Sequence, residues 1–186
     1  LIIEYKLTAV DKDTIVNFTC HPYFNLAGHD SGNALSQELW IDADYFCEAA
    51  PDTVPTGKLL KVDNTPFDFR SPKPIERDMG ADIPQLRYTN GYDHNFCLNH
   101  QVGRMFLSAT AYDPKSGRFM ELYTGKPGLQ LYTGNFLNPE VAAKEGAHYH
   151  PGDGYALETQ FFPNAINTPE WEQPILEAGK TSYSLT

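Results

Sequence analysis

The chain has 186 residues, of which 41% are hydrophobic and 13% aromatic, and its formal net charge at pH 7 is −10. This composition predicts either one globular domain with a substantial core or part of a larger all-β domain. The negative charge and the absence of any run rich in Lys or Arg argue against nucleic acid or an acidic membrane surface as a partner. No segment approaches the roughly 20 apolar residues that a membrane-spanning helix needs.

The sequence contains three cysteines, Cys20, Cys47 and Cys97, and none of them belongs to a C-x-x-C pair. An odd number without that spacing argues against a disulfide framework and against a zinc ribbon. We therefore predict reduced, buried thiols. Because such thiols are typical of the cytoplasm, we also predict a cytoplasmic location.

Strand-forming residues dominate the first part of the chain. Residues 1–10 and 14–20 are two such runs on either side of a polar Asp-Lys-Asp turn, which predicts a β-hairpin. Residues 37–46 alternate well enough to form a third strand. Residues 51–84 are dense in Pro and Gly, but their regular apolar residues indicate an ordered excursion packed on the sheet rather than a disordered linker. One short helix is predicted within it, near residues 75–79.

Strands are predicted again in the second part of the chain, which shows no helical period. A Pro and a Gly in the segment Asp-Pro-Lys-Ser-Gly, residues 113–117, predict a hairpin turn between two of them. Residues 138–145 are predicted to form a short helical loop. The strand-like segments are residues 95–98, 105–112, 118–124, 129–133 and 181–186. This pattern, without any fixed repeat, predicts an all-β fold, either an antiparallel sandwich or a barrel.

A run rich in strand formers, Tyr-Ala-Leu-Glu-Thr-Gln-Phe-Phe at residues 155–162, carries one carboxylate in its middle. Side chains alternate between the two faces of a strand, so Glu158 and Gln160 share a face with two apolar residues. A carboxylate between apolar groups is partly desolvated, which raises its pKa and makes it a better proton acceptor near neutral pH. The alternative is that this face is the solvated outer face of an antiparallel sheet.

Three further polar residues stand beside or within predicted strands. His21 follows a strand and precedes Pro22, where an imidazole can exchange protons near neutral pH or can simply pack and bond to the backbone. Asp93 follows an Asn-Gly turn signal and can accept hydrogen bonds from ligand hydroxyls or act as a turn residue. The amide of Gln130 can bind a polyhydroxylated ligand or lie on the surface.

The sequence gives little support for metal or nucleotide sites. His148 and His150 lie on the same face of an extended segment with Asp153 close behind, but their spacing fixes no third ligand, and the flanking Pro and Gly residues predict a loop. The sequence contains no G-x-G-x-x-G segment, no phosphate-binding loop and no G-x-S-x-G nucleophile elbow. We therefore predict neither a metal site nor a nucleotide cofactor.

Six segments of the chain, taken together and in this order, resemble the aldose 1-epimerases, which are also called galactose mutarotases. The similarity extends over residues 1–186 and matches the second half of the family's pattern. The six segments are His-Pro-Tyr-Phe-Asn-Leu-Ala-Gly at residues 21–28, Val-Pro-Thr-Gly at 54–57, Thr-Pro-Phe-Asp-Phe-Arg at 65–70, Gly-Tyr-Asp-His-Asn-Phe at 91–96, Pro-Gly-Leu-Gln-Leu-Tyr-Thr-Gly-Asn-Phe at 127–136 and Leu-Glu-Thr-Gln at 157–160.

The resemblance implies the antiparallel β-sandwich of the galactose mutarotases, a supersandwich that is incomplete here, with an open sugar cleft on one face and no cofactor. Residues 1–186 are then expected to be a single domain, the C-terminal portion of such a sandwich. By motif, Glu158 resembles the family's catalytic base and His21 its catalytic acid. Asp93 and Gln130 match positions that bind sugar hydroxyls.

The chain departs from the family's pattern beside the acid, where Cys20 and Pro22 replace the more usual Asn and Ser. That departure leaves the acid itself in place, but it puts the orientation of the imidazole in question.

These roles imply an enzyme that interconverts the α and β anomers of a hexose such as galactose or glucose by general acid–base ring opening and closure. Two alternatives remain open. A relative that acts on a hexose 6-phosphate would need several Lys or Arg around its cleft, and the motifs carry few. A non-catalytic sugar-binding or regulatory module would keep the sandwich; the first half of the pattern, absent here, would normally supply an Arg and a second His that hold the sugar.

Overall fold

The computed structural model describes residues 1–186, and it consists mainly of antiparallel β-structure, which confirms the all-β prediction. Its one α-helix, α1, is short (Pro84–Thr89), and three 3₁₀ helices span Ile75–Asp78, Lys144–Gly146 and Ala165–Asn167. The strands are β1 (Glu4–Thr8), β2 (Thr14–Ile15), β3 (Glu38–Ile41), β4 (Ala43–Ala49), β5 (Pro55–Lys61), β6 (Lys73–Pro74), β7 (Asp93–Leu98), β8 (Phe106–Tyr112), β9 (Phe119–Thr124), β10 (Gly128–Tyr132), β11 (Ala156–Gln160), β12 (Ile175–Leu176) and β13 (Thr181–Leu185).

Two sheets contribute to a single hydrophobic core. One has five strands in the order β11-β10-β7-β4-β5, and the other has four in the order β6-β3-β8-β9. Phe96 and Leu131 from the first sheet and Leu39 and Ala111 from the second belong to one buried cluster. Because side chains alternate along a strand, the five-stranded sheet keeps its other face for polar residues, among them Gln130. That second face carries the candidate site.

The predicted hairpin between the first two runs of the chain is wrong. β1 pairs with β13, from Glu4 opposite Leu185 to Thr8 opposite Thr181, and β2 pairs with β12. A tight hairpin turn needs residues with positive φ, and no residue of the Asp-Lys-Asp segment has one. Both runs therefore pair with the C-terminal segment, more than 150 residues away along the chain.

Other boundaries also differ from the predictions. Residues 37–46 form not one strand but two, β3 and β4, which lie in different sheets and separate at Asp42. The excursion at residues 51–84 contains an unpredicted strand, β5, together with the predicted short helix at Ile75–Asp78. The helix α1 was not predicted, since six residues are too few to show a helical period.

The predicted turn at residues 113–117 does join two antiparallel strands, β8 and β9. It closes with a hydrogen bond from the amide of Gly117 to the carbonyl oxygen of Asp113 (2.8 Å). Gly117 has a φ of 73°, a conformation that glycine adopts without steric cost.

An apolar groove and several apolar side chains are exposed. A groove of about 350 Å³ is lined mainly by hydrophobic residues, including Ile2, Met120, Tyr123 and Leu185. Leu1, Phe119 and Tyr183 are also exposed. Separately, none of the helices is long and apolar enough to cross a membrane.

Candidate active site

Glu158 lies in the middle of β11, an edge strand of the five-stranded sheet. All five residues of β11 are buried. The relative exposure of Glu158 is 9%, so the alternative of a solvated outer face is wrong. Burial raises the pKa of the Glu158 carboxyl, and the neighbouring charge of Asp93 raises it further, while the nearby imidazole of His21 lowers it; the net shift is upward. A carboxylate in this setting is a stronger base than a solvated glutamate.

His21 lies outside the named strands but is held beside β11 at two points. The backbone of Phe24 exchanges two hydrogen bonds with that of Tyr155 (2.7 and 3.1 Å), and the side-chain amide of Asn17 pairs with the backbone of Phe161. Continued antiparallel from Phe24 and Tyr155, this register brings His21 level with Glu158. The two side chains meet there, with Nε2 of His21 3.5 Å from Oε1 of Glu158.

Asp93 and Gln130 lie on the same face as this pair. In the strand register, Gln130 on β10 is opposite Glu158 on β11, and Asp93 begins the next strand, β7. Nε2 of Gln130 donates a hydrogen bond of 2.7 Å to Oδ1 of Asp93. Burial raises the pKa of the Asp93 carboxyl, against the lowering effects of this hydrogen bond and of His21. The structure therefore brings all four residues singled out in the sequence together on one polar surface.

Two tyrosines flank the imidazole of His21. Its ring centroid lies 5.0 Å from that of Tyr23 and 5.9 Å from that of Tyr132. Tyr23 is 47% exposed, so its ring is free to contact a ligand. Partial burial raises the pKa of its hydroxyl, and the nearby Tyr132, Glu158 and Asp93 raise it further. Tyr132 was not among the predicted site residues, although strand alternation puts it on the same face as Gln130.

The unusual neighbours of His21, Cys20 and Pro22, do not displace its side chain from Glu158. The imidazole is partly open to solvent, with 44% relative exposure, whereas the Glu158 side chain has 12%. A ligand approaching this surface therefore reaches the imidazole directly and reaches the carboxylate at its exposed edge.

His148 and His150 do not share a ligand position. Nδ1 of His148 donates a hydrogen bond to the carbonyl oxygen of Pro139 (2.6 Å), and Nδ1 of His150 lies 3.4 Å from Oδ2 of Asp153. Nowhere in residues 1–186 do three or more His, Cys, Asp or Glu side chains form a group that could hold a metal ion.

A buried set of hydrogen bonds holds the start of β7, where Asp93 lies. Nδ2 of Asn135 donates to the carbonyl oxygens of Thr89 and Tyr92 (2.8 and 3.0 Å). The hydroxyl of Thr133 donates to Oδ1 of Asn135 (2.5 Å) and accepts from the amide of Tyr92 (3.1 Å). Because every one of these groups is buried and paired, the strand has little freedom to move at this end.

We expect Gly91→Ala to destabilise the protein by about 1–3 kcal/mol, the usual cost of overpacking. A Cβ at this position would lie 2.6 Å from Oδ1 of Asn135, and Gly91 has a φ of 138° that other residues rarely adopt. Gly80→Ala is the matched control, because a Cβ there meets nothing within 4 Å. Thermal unfolding of both variants is the measurement, and equal melting temperatures would contradict the expectation.

The geometry suits proton exchange at two neighbouring oxygens. One group is a buried carboxylate of raised basicity, the other is an accessible imidazole, and they are 3.5 Å apart. Beside them, Asp93 and Gln130 offer hydrogen-bond acceptors and donors to hydroxyl groups, and the exposed ring of Tyr23 offers an apolar face. Such a surface can hold a polyhydroxylated ring and move its protons.

Comparison with known proteins agrees with this chemistry. The sequence profile of the aldose 1-epimerase family matches residues 1–186. The chain is 41% identical over 180 residues to the galactose mutarotase of Sus scrofa. That alignment covers 97% of this chain and 51% of that protein. It is 38% identical over 186 residues to the aldose 1-epimerase of Escherichia coli strain K12, covering 99% of this chain and 53% of that protein.

Among solved structures, the aldose epimerase homologue from C. elegans superimposes with a TM-score of 0.86 at 28% sequence identity, covering 99% of this chain and 53% of that one. The galactose 1-epimerase of Lactobacillus acidophilus NCFM superimposes with a TM-score of 0.79 at 29% identity, covering 99% and 51%. The chain spans about half the length of the curated relatives it matches.

Proposed function

Because the chain belongs to the aldose 1-epimerase family, we propose that its site interconverts the α and β anomers of a hexose such as galactose or glucose. The observation that carries the proposal is the 3.5 Å separation between Nε2 of His21 and Oε1 of Glu158. The anomeric oxygen and the ring oxygen of a pyranose are bonded to the same carbon, so a base and an acid acting on both must lie close together.

In the proposed reaction, the Glu158 carboxylate takes the proton from the anomeric hydroxyl while protonated His21 gives a proton to the ring oxygen. The bond between C1 and the ring oxygen breaks, and the sugar opens to the aldehyde. Rotation about the C1–C2 bond presents the other face of the carbonyl. The ring closes as neutral His21 takes the proton back from the attacking hydroxyl and protonated Glu158 returns one to the carbonyl oxygen. Both side chains end as they began.

Asp93 and Gln130 are proposed to hold the sugar by hydrogen bonds to its ring hydroxyls. A carboxylate accepts bonds from hydroxyl groups, and a primary amide both accepts and donates, so the pair recognises a polyol rather than an apolar ligand. The exposed ring of Tyr23 is placed to stack on a sugar face beside the imidazole.

Each step moves a proton between a side chain and the sugar, so the proposed reaction requires no metal, cofactor or covalent intermediate. The proposed partner is a small-molecule monosaccharide, with no part for nucleic acid or a membrane. The three thiols are free, and we keep the cytoplasmic location as part of the proposal. That residues 1–186 are a single domain and the C-terminal portion of a longer sandwich stays a prediction.

Polarimetry tests the proposal directly. Freshly dissolved α-D-galactose or α-D-glucose is added to the 186-residue chain, and the optical rotation is expected to reach its equilibrium value faster than in buffer. Isothermal titration with the same sugars runs in parallel. Binding without faster interconversion would overturn the catalytic proposal in favour of a sugar-binding module, and interconversion of glucose 6-phosphate alone would favour the phosphorylated substrate.

A further inference from the structure

Three side-chain amides on the floor of the site form one continuous set of hydrogen bonds. Nε2 of Gln160 lies 3.3 Å from Oδ1 of Asn95 and 3.3 Å from Oε1 of Gln130, and it donates to both. Nε2 of Gln130 in turn donates to Oδ1 of Asp93. Asn95 and Gln160 are almost fully buried, with 2% and 8% exposure, so neither is available to hold a ligand by its own exposed surface.

The direction of these hydrogen bonds is determined at the Asn95 end. Nδ2 of Asn95 lies 3.4 Å from the backbone carbonyl oxygen of Phe96, which can only accept a hydrogen bond, and 3.5 Å from the thiol sulfur of Cys47. Oδ1 of Asn95 must then face Gln160, which has to present its NH₂ group. Since a primary amide has one oxygen and one NH₂ group, Gln130 accepts with its oxygen and its NH₂ group is left for Asp93.

Gly128 leaves room for the Asn95 amide. It lies on β10 directly opposite Gln160 in the strand register, and a Cβ at this position would be 2.5 Å from Oδ1 of Asn95 and 2.9 Å from its Nδ2. Only a glycine leaves this space for the Asn95 amide.

We propose that Asn95 and Gln160 are positioning residues that orient the Gln130 amide, so that its NH₂ group rather than its oxygen faces the Asp93 carboxylate. This inference rests on the proposed function, in which Asp93 and Gln130 bind sugar hydroxyls. With the amide in this orientation, the Gln130 NH₂ group donates a hydrogen bond to one carboxylate oxygen of Asp93. The other oxygen of Asp93 stays free to accept a hydrogen bond from the sugar. With the amide reversed, two oxygens would oppose each other and the carboxylate would be disfavoured.

The effect on sugar binding has a definite sign. The groups that face Asp93 are Gln130, His21, Glu158 and Tyr23. Burial already raises the pKa of the Asp93 carboxyl, and the hydrogen bond from Gln130 opposes that rise. Losing the bond raises the pKa further, so Asp93 becomes protonated at a higher pH. The pH below which galactose binding weakens is then expected to move upward.

Gln160→Glu is the sharpest test, because an ionised carboxylate can only accept hydrogen bonds and therefore competes with Asp93 for the single NH₂ group of Gln130. We expect the dissociation constant for D-galactose, measured by titration calorimetry, to rise on the order of tenfold, the usual cost of losing a hydrogen bond to a charged group. We also expect the acidic limb of binding to move to higher pH. KM should rise with Kd, whereas kcat, measured above the acidic limb where Glu158 is ionised in both proteins, should stay within about twofold.

Gln160→Met is the matched control, because it keeps the length of the side chain but cannot donate hydrogen bonds to Asn95 or Gln130. Its galactose affinity should fall less than that of Gln160→Glu, and it provides the test if the charged variant fails to fold. Galactose affinity and pH dependence equal to the parent in both variants would overturn the inference. So would a parallel loss of kcat, KM and melting temperature, which a purely structural role predicts. A parent chain that neither binds nor interconverts galactose would instead overturn the proposed function, and this inference with it.

Discussion

Replacing Glu158 by Gln is expected to lower kcat for anomer interconversion by about 10²- to 10⁴-fold, the range associated with one positioned proton acceptor. The substitution keeps the shape of the side chain and removes its basicity. Because Asp93 and Gln130 are untouched, sugar binding should persist, so that kcat falls far more than KM rises. Polarimetry at saturating galactose, with titration calorimetry for binding, measures both quantities.

The pH dependence of the parent chain provides an independent check on the same residue. Glu158 acts as a base only when ionised, and its pKa is raised from the ordinary value of 4.5. The acidic limb of kcat/KM is therefore expected above the ordinary range of a glutamate and should disappear in Glu158→Gln. If that limb has the same midpoint in both proteins, another group controls it and the assigned role is wrong.

His21→Asn extends the test to the acid. If His21 and Glu158 act together in one proton exchange, replacing either residue should lower kcat almost as much as replacing both. The effects of residues that act as a unit on kcat are far from additive. The double variant is therefore expected to be little slower than the slower single variant. Losses that multiply would indicate two independent roles rather than the proposed pair.

Acid is expected to destabilise the fold through His94, by up to about 3 kcal/mol between pH 6.5 and pH 4. This imidazole is 2% exposed and packs against the rings of Phe67 and Phe46. Its Nε2 has no hydrogen-bond partner, and Nδ1 accepts from the backbone amide of Asp93 (3.2 Å). A charge at this position would be unpaired and desolvated, and burial lowers the pKa of His94 from 6.5 to about 4.

The sign follows from the two states. As the pH falls below 6.5, the unfolded chain binds a proton at His94 while the folded chain does not, so the unfolded state is favoured. The decrease in the free energy of unfolding grows until the pH reaches about 4, where the folded state also takes up the proton. Above neutral pH the decrease is absent. Urea unfolding of the parent at pH 7.0, 5.5 and 4.5 measures the change in the free energy of unfolding.

His94→Phe should flatten that pH dependence. The substitution also leaves the amide of Asp93 without this acceptor, at a cost of about 1–3 kcal/mol, but this loss is the same at every pH and does not affect the slope. His148→Gln, at an exposed position, is the control and should retain the slope of the parent. If the slope of His94→Phe matches that of the parent, other groups carry the acid sensitivity.

The local pattern of the chain was sufficient for much of the architecture. Alternation along residues 155–162 correctly separated Glu158 from Leu157, and the Asp-Pro-Lys-Ser-Gly segment correctly indicated the turn between β8 and β9. The resemblance to the aldose 1-epimerase motifs, rather than any local period, singled out His21, Asp93 and Gln130, which lie beside Glu158 in the structure. The strand face and the turn depend on side-chain period and turn chemistry, which neighbouring residues determine among themselves.

Tertiary structure decided which strands pair and which side chains meet. No local signal indicated that β1 pairs with β13, that Asn17 and Phe24 hold His21 level with Glu158, or that Gln160 donates a hydrogen bond to Gln130. Each of these contacts joins residues at least 30 positions apart. Such contacts form only when the apolar faces of the sheets pack together and fix the strand register. Sequence period determines which face a side chain occupies, whereas the packing of distant strands determines which side chain it meets there.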